Sequence, residues 1–315
     1  MQSDFKINIA GLVIKVYIDN DLDGVREFMS NFITADISNK KPSPIIYISK
    51  NIERKLELSS NWRTLSIMGN DINDLTDPFT LIGLTQGIFR FAAIHLAREG
   101  TFLLHGSATT IENKIVCFGD DGSSIAKTLG SLEAVLISNQ YVADEFCFVD
   151  IKTSKISGYP IIPIHLRPEV RDHLQDQHQL ILPTSKYKNS IAGYFLQPDE
   201  LFTAVSGKLE VLSYIHFSKT ENFIEKLSTE DAIKSFRFCT ISHIAKLLYP
   251  TFDRMQFSAR TDSTEIKIIG EDVINEIERK LFRNQPILKF LKKVRSYRVT
   301  VTDPCKIVPQ IMAEI

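Results

Sequence analysis

A glycine turn between a strand-like run and a helix-like run is the stretch of this chain whose residues suit phosphate chemistry. Residues 119–128 read Gly-Asp-Asp-Gly-Ser-Ser-Ile-Ala-Lys-Thr and follow the apolar, β-branched run 114–118. Strand, glycine turn and helix form the layout of a phosphate-binding loop. In such a loop backbone N–H groups surround the phosphates, a lysine reaches the β- and γ-phosphate oxygens, and a hydroxyl binds magnesium. The turn therefore predicts the frame of a nucleotide site.

The register of this turn departs from the G-x-x-x-x-G-K-[ST] pattern that such a loop requires. Counted from the first glycine, Ser124 stands at the last glycine position, Ile125 at the lysine position and Ala126 at the hydroxyl position. Lys127 and the threonine after it come two residues late, which is about 200° around a helix. We therefore expect Lys127 to point away from the phosphates, on the solvent side of a helix over residues 123–132.

Two carboxylates inside the turn also oppose tight polyphosphate binding. Asp120 and Asp121 would repel phosphates because the charges are alike. They suit instead the N-terminus of the following helix, where a carboxylate accepts hydrogen bonds from N–H groups and complements the helix dipole. The turn thus has the frame of a nucleotide site without its usual charged contacts.

The segments around the turn form an ordered series. Residues 104–108 read Leu-His-Gly-Ser-Ala and precede a predicted β-hairpin, and residues 142–145 read Val-Ala-Asp-Glu. Residues 158–160, Gly-Tyr-Pro, then precede residues 164–169, Ile-His-Leu-Arg-Pro-Glu. In order and spacing the series resembles the HPr serine kinase-like proteins, which share a phosphoenolpyruvate-carboxykinase-like P-loop fold. It looks most similar to their stand-alone branch, which includes lasso-peptide precursor kinases. The resemblance is best over residues 104–169.

The resemblance implies roles for the residues that match. The histidine of the family's H-G-S-A motif lies at the active site, and it corresponds to His105. An acidic pair after the next strand handles the hydroxyl proton and the metal ion. These roles fall on Asp144 and Glu145, although the family usually has two aspartates. The implied cofactors are ATP and Mg²⁺, with Asp144 and Glu145 as metal ligands. The expected cofactor-binding residues are those of the turn and the nearest cations: Gly119, Gly122, Ser123, Ser124, Lys127 and Arg167.

For Asp144 and Arg167, a purely structural role is an alternative to a role in the nucleotide site. In P-loop proteins an acid at the end of such a strand supports magnesium, but Asp144 also suits an ordinary hydrogen-bonded turn. Arg167 is the best remaining cation for a phosphate or carboxylate, since arginine forms bidentate contacts. An arginine directly before a proline equally suits a structural salt bridge.

Three functions are compatible with these residues. The first is a degenerate kinase-like protein that acts as a binding or accessory subunit, possible in modified-peptide biosynthesis by resemblance. The second is an active ATP-dependent kinase that phosphorylates a Ser of a peptide or protein, with a displaced cation replacing the loop lysine. The third is an enzyme of different chemistry on the same frame. Each lost charge-assisted contact costs about 1.5–3 kcal/mol, and phosphoryl transfer depends on positioning and charge neutralisation. On the sequence alone we favour the first.

The composition is that of a soluble globular protein and indicates neither a nucleic-acid nor a membrane partner. Of 315 residues 43% are hydrophobic, and 37 basic against 38 acidic residues give a net charge of −1. The four cysteines lack a C-x-x-C spacing, and no apolar run approaches the roughly 18 residues of a membrane helix. Residues 1–16 do not resemble a signal peptide. We expect a cytoplasmic protein with a peptide or protein partner, and the sequence leaves its oligomeric state open.

The apolar patterns predict an α/β (α+β) fold in three portions. Residues 1–75 form a strand-rich N-terminal portion, and residues 76–220 form the kinase-like core with its altered P-loop. Residues 221–315 form a mainly helical segment packed on that core.

Three local expectations depend on short runs. A strand over residues 134–137 should follow the helix after the glycine turn, and residues 223–227 should be helical. The polar residues around His173 and His178 match no known metal-ligand spacing, so we expect a solvated surface loop there. Residues 175–190 are expected to be the most mobile segment.

Overall fold

The computed structural model describes residues 5–34, 43–52, 55–59, 61–70, 72–119, 125–179, 194–248, 272–279 and 285–315. The chain forms two compact units. One comprises Met1–Glu99 and Ile244–Ile277, and the other comprises Gly100–His243 and Glu278–Ile315. These units do not follow the three expected portions, because the first boundary lies after Glu99 and the C-terminal portion is divided between both units.

The first unit contains a five-stranded mixed sheet. Its strands are β1 (Phe5–Ile9), β2 (Leu12–Ile18), β3 (Ile45–Ser49), β4 (Lys55–Leu58) and β5 (Thr64–Met68). They lie in the order β1-β2-β3-β5-β4; β2, β3 and β5 are parallel, while β1 and β4 run antiparallel at the edges. Helix α1 (Asp23–Ser30) lies between β2 and β3 in the chain. The strand-rich character predicted for the N-terminal portion is confirmed.

Helix α2 (Pro78–Ala97) is the long apolar helix of the first unit. The Asp77 carboxylate accepts a hydrogen bond from the Thr80 N–H at 3.0 Å and thereby caps the N-terminus of the helix. Within the part of the chain that the structure describes, only Thr80–Ala97 is long and apolar enough to cross a membrane. This window is 94% buried by the protein itself, as in the core helix of a soluble protein. Burial also lowers the pKa of His95 on this helix to about 4.

The second unit contains the glycine turn and a larger mixed sheet. The strands of this unit are β6 (Thr101–Leu104), β7 (Gly106–Ile111), β8 (Lys114–Gly119), β9 (Gln140–Asp144), β10 (Cys147–Asp150), β11 (Lys155–Ser157), β12 (Ile164–Leu166), β13 (Tyr194–Leu196), β14 (Thr203–Ala204), β15 (Gly207–Phe217), β16 (Phe223–Lys226) and β17 (Arg295–Val301). β12 and β13 form a separate two-stranded sheet. The helices of this unit are α3 (Ala126–Ser138), α4 (Pro168–His178), α5 (Pro198–Leu201), α6 (Thr229–Leu248), which ends in the first unit, α8 (Gln285–Lys293), a 3₁₀ helix (Pro304–Lys306) and α9 (Ile307–Met312). Helix α7 (272–279) belongs mainly to the first unit.

The large sheet mixes hairpins with parallel neighbours. Its main order is β14-β9-β7-β8-β15-β11-β10-β6, and β17 also pairs with β15 while β16 pairs with β17. The strands β8, β15 and β17 are parallel, whereas β7 is antiparallel to both β8 and β9. Helix α3 crosses from β8 to β9 and packs on this sheet through its apolar residues. The end of β9 and the start of α3 are thereby brought together.

Several local expectations are confirmed. The strand before the glycine turn is β8, and the hairpin before it joins β7 to β8 through Glu112 and Asn113. Both turn residues have positive φ, 49° and 63°, as a two-residue hairpin loop of type I′ requires. Cys117 and Cys147 are buried and free.

Three local expectations are wrong. Residues 134–137 continue α3 rather than forming a strand, with Ala134 and Val135 buried and Ile137 exposed, and Asn139 ends the helix in a left-handed conformation at φ 55°. Residues Phe223–Lys226 form the strand β16, since they pair with β17. His173 and His178 lie on α4, not in a loop. The expected mobile segment overlaps α4 over residues 175–178, and residues 180–190 lie outside the described part of the chain.

Candidate functional site

Five polar side chains meet where α3 begins and β9 ends, and we call them the lysine cluster: His105, Lys127, Thr128, Asp144 and Glu145. Lys127 and Thr128 lie in the first turn of α3. Asp144 is the last residue of β9 and Glu145 follows it. His105 stands between β6 and β7, and its backbone N–H donates to the carbonyl of Cys239 at 3.0 Å. The cluster is therefore supplied by the turn between β6 and β7, the end of β9 and the first turn of α3.

Glu145 is the centre of the cluster's ionic contacts. Its Oε1 lies 3.4 Å from Lys127 Nζ and 3.5 Å from His105 Nε2. Glu145 has a left-handed backbone with φ 63°. That conformation costs a residue with a Cβ on the order of 1 kcal/mol, and such strain clusters at functional sites. The Glu145 side chain is 33% exposed, whereas those of Lys127 and His105 are 3% and 6% exposed. One ion-pair partner thus remains open to water.

The burial of Lys127 corrects the expectation that it would point to solvent. The helix begins at Ala126 with Ile125 as its N-cap residue, three residues later than predicted. Lys127 is therefore the second residue of the helix rather than the fifth. All residues of α3 from Ala126 to Val135 are buried, so the start of the helix has no solvent side. The lysine that stands out of register in the sequence therefore lies beside the acidic pair.

The surroundings of Asp144 shift its pKa in the direction that suits a proton acceptor. The Thr128 hydroxyl donates to Asp144 Oδ1 at 3.1 Å, and the Ser107 hydroxyl donates to the backbone carbonyl of the preceding residue, Ala143, at 3.3 Å. Desolvation by burial raises the pKa of Asp144, the charge of Lys127 opposes this shift, and the charge of Glu145 adds to it. A carboxylate with a raised pKa is closer to the working pH of a general base.

Two glycines hold the strands that carry the cluster close to their neighbours. A Cβ on Gly158 would stand 2.3 Å from the carbonyl oxygen of Val142 and 2.3 Å from Ala143 Cβ, both on β9. A Cβ on Gly119, the last residue of β8, would stand 2.5 Å from Tyr214 Cε1. Both positions lack room for a larger residue. Close packing against β9 therefore explains the glycine of the Gly-Tyr-Pro segment.

The predicted site residues are brought together in part. The three acid-base candidates His105, Asp144 and Glu145 are in one cluster, and Lys127 joins them. Gly122, Ser123 and Ser124 lie outside the described residues, as do the two loop aspartates. Arg167 is exposed at the N-cap of α4. Among the residues described, no hydrogen bond or ion pair joins Arg167 to the cluster.

The sequence reasoning missed a second polar group on α3. Glu133, in the middle of this helix, is 4% exposed and contacts His173 and His178 of α4. Cys305, in the 3₁₀ helix, lies 4.0 Å from the ring of His173. A carboxylate within an otherwise apolar helical run was the only local signal, because its partners are 40, 45 and 172 residues away along the chain.

Comparison with known proteins identifies no family for the chain. No protein-family model matches it, and no curated protein matches it. The architecture and the two clusters are therefore the observations from which its function is argued.

The residues at the end of β9 fit a magnesium ion by donor type. Asp144, Thr128 and Glu145 present carboxylate and hydroxyl oxygens, which Mg²⁺ prefers. The Thr128–Asp144 pair also has the composition of the hydroxyl and aspartate that hold magnesium in P-loop enzymes. The arrangement can thus combine a cation for phosphate, oxygen donors for a metal and a base for a hydroxyl proton.

Proposed function

We propose that this chain is an HPr serine kinase-like protein that transfers the γ-phosphoryl group of ATP to a Ser hydroxyl of a peptide or protein. The observation that carries the proposal is the position of Lys127, buried beside Asp144 and Glu145. A lysine on the solvent side of α3 would have favoured a degenerate loop. Its contact with the acidic pair instead favours a displaced lysine that still serves the site.

In this proposal each residue of the cluster has a defined task. Lys127 leaves Glu145 to contact the phosphate oxygens, His105 lies next to the transferring group, and Asp144 accepts the proton of the attacking hydroxyl. Asp144 and Glu145, with Thr128, would hold Mg²⁺, which neutralises phosphate charge when it is bound. Phosphoryl transfer depends on this positioning and neutralisation rather than on covalent chemistry by the protein.

The exchange of partners by Lys127 is energetically reasonable. Its ion pair with Glu145 is 3.4 Å long and one partner is a third exposed. Lys127 is buried, so it cannot leave Glu145 without another charged partner. A phosphate would supply one, since a charge-assisted contact is worth about 1.5–3 kcal/mol. A raised pKa on Asp144 also supports the role of proton acceptor.

A second candidate is a binding or accessory subunit without turnover, and the packing of Ile125 favours it. Ile125 occupies the loop's lysine position by register and packs against the apolar cluster between α3 and α4. An isoleucine side chain that packs against apolar residues provides no charge or hydrogen-bond donor for a phosphate. In this alternative, Lys127 and Glu145 would form a permanent structural pair.

Calorimetry with magnesium-ATP and transfer of γ-phosphate label to candidate peptides test the proposal. The unaltered chain should bind magnesium-ATP, and Lys127→Met should weaken binding about 10- to 150-fold, the equivalent of one charge-assisted contact. The matched control is Lys155→Met, since Lys155 is an exposed lysine at the start of β11. Circular dichroism and thermal unfolding establish that each variant is folded.

The same experiment separates the two candidates. Equal nucleotide binding by the unaltered chain and a folded Lys127→Met variant would contradict the kinase proposal, as would no binding by either. The loop change Ser124→Gly, Ile125→Lys, Ala126→Ser should then create binding, as the accessory-subunit alternative requires. If the kinase proposal holds, this change adds little to binding that already exists.

A further inference from the structure

Four side chains with metal-binding atoms converge on the flank of α3, and we call them the histidine cluster: Glu133, His173, His178 and Cys305. The Nε2 atoms of His173 and His178 donate to the same oxygen of Glu133, Oε1, at 2.6 and 2.8 Å. The Cys305 Sγ lies 4.0 Å from His173 Nε2. All four candidate ligand atoms lie within 4.8 Å of one another.

Three separate elements position these donors. Glu133 is held in the middle of α3, and the two histidines lie on α4, whose apolar residues Val170 and Leu174 pack against α3. Cys305 lies in the 3₁₀ helix that precedes α9, and its backbone N–H donates to Asp303 Oδ1 at 2.9 Å. The cluster therefore links two helices to the C-terminal end of the chain.

The geometry is close to that of a tetrahedral metal site. Zinc binds His nitrogen and carboxylate oxygen at about 2.0–2.2 Å and Cys sulfur at about 2.3 Å, so neighbouring ligand atoms in a tetrahedron are roughly 3.3–3.7 Å apart. The two Glu133–His distances are shorter and the Cys305–His173 distance is slightly longer. Shifts of less than about 1 Å at these side-chain ends would fit the four donors to one ion.

The donor types select the class of metal. Imidazole and thiolate ligands favour zinc and similar transition metals, whereas magnesium and calcium take oxygen ligands. One Cys, two His and one carboxylate complete a four-coordinate site without an open position, which is the arrangement of a structural zinc site.

We propose that Glu133, His173, His178 and Cys305 form a structural binding site for a zinc-class divalent ion that joins α3, α4 and the 3₁₀ helix. Such an ion would fix the flank of the helix whose first turn carries Lys127 and Thr128. The proposal does not depend on the kinase function, because the ligand set contains none of the lysine cluster.

The role of Cys305 distinguishes this site from a simple hydrogen-bonded group. Glu133 and the two histidines satisfy one another as acceptor and donors, and that arrangement requires no thiol. A bound metal deprotonates a coordinating thiol outright, so a thiolate bond to the ion is the specific signature of the proposal.

Cobalt(II) is the probe that reports both the geometry and the thiolate. The full chain is stripped of metal with a chelator and titrated with Co²⁺, then with Zn²⁺ in competition with a chromophoric chelator. We expect one ion per chain, the intense visible bands of tetrahedral cobalt, and a sulfur-to-cobalt charge-transfer band in the near ultraviolet. Zinc should displace cobalt and raise the melting temperature of the unaltered chain.

The variants assign the ligands. Cys305→Ser should abolish the charge-transfer band, and His173→Ala and His178→Ala should each weaken zinc binding at least tenfold, since even outer-shell partners are worth about 10–100-fold. The matched control is Asp172→Asn, which removes an exposed carboxylate on the same helix. It should change neither the charge-transfer band nor the affinity for zinc. Failure of the metal-free chain to bind cobalt or zinc would overturn the proposal. A charge-transfer band that persists in a folded Cys305→Ser variant would also overturn it, because the ion would then lie elsewhere.

Discussion

Helix α3 carries two buried polar clusters, about 9 Å apart along its axis, and they are built differently. In the lysine cluster the contacts are 3.1–3.5 Å long, charges of both signs are present, and Glu145 is a third exposed. In the histidine cluster the two contacts to Glu133 are 2.6 and 2.8 Å long, and that carboxylate is 4% exposed. Loose contacts beside water can exchange partners, whereas short contacts around a buried carboxylate hold elements together.

The two proposals assign a substrate site and a structural metal site to one helix. The lysine cluster lies at the first turn of α3 and the end of β9, and includes a carboxyl whose pKa burial raises. The histidine cluster fastens α4 and the C-terminal end to the same helix. The following predictions test that distinction, in decreasing order of expected effect.

The largest effect is expected on catalysis at the end of β9. Asp144→Asn should lower the rate of phosphoryl transfer by about 10²- to 10⁴-fold, the usual contribution of a general base, and should also weaken magnesium-ATP binding, since Asp144 is a proposed magnesium ligand. Single-turnover transfer of γ-phosphate label to a peptide measures it. Asp172→Asn is the control for loss of a carboxylate. A folded Asp144→Asn variant with unchanged turnover would remove Asp144 from the role of base.

A second, smaller effect is expected on stability where Gly158 contacts β9. Gly158→Ala places a methyl group 2.3 Å from a backbone oxygen, so it should lower the free energy of unfolding by about 1–3 kcal/mol or more. Chemical denaturation measures this change. The matched control is Gly87→Ala in α2, where the added Cβ meets only side chains at 3.5 Å or more. This control should be neutral or stabilising by up to about 1 kcal/mol, since alanine favours helix. Equal effects at the two glycines would contradict the close packing inferred at β9.

The smallest effect concerns pH and Asp144. Because its pKa is raised in the folded chain, the folded state keeps a proton that the unfolded state loses above about pH 4. The free energy of unfolding should therefore fall as pH rises from about 4 through the raised pKa. Asp144→Asn removes this fall, so its stability relative to the unaltered chain should increase with pH over that window.

Denaturation at several pH values measures the difference between the two proteins. Taking the difference cancels the background from His95, whose pKa burial lowers to about 4 and which acts in the opposite direction. A relative stability that stays constant or decreases with pH would contradict the raised pKa of Asp144.

The sequence by itself determined the local elements that carry strong short-range signals. Asp77 and Pro78 mark the start of α2, and the run 114–118 is β8. His105, Asp144 and Glu145 were identified only through the family resemblance. Caps, alternation and turn residues act over a few positions, so a sequence displays them directly.

Only the tertiary structure decided which side of α3 carries Lys127 and what surrounds Glu133. The apolar run 134–137 continues α3 instead of forming a strand, and the sheet and α4 bury only its first two residues, Ala134 and Val135. A short apolar run looks the same in a buried strand and in a buried helix. The same covering buries Lys127 and brings Glu133 to histidines and a cysteine from distant parts of the chain. Contacts between residues far apart in sequence depend on how the elements pack, and no local pattern encodes them.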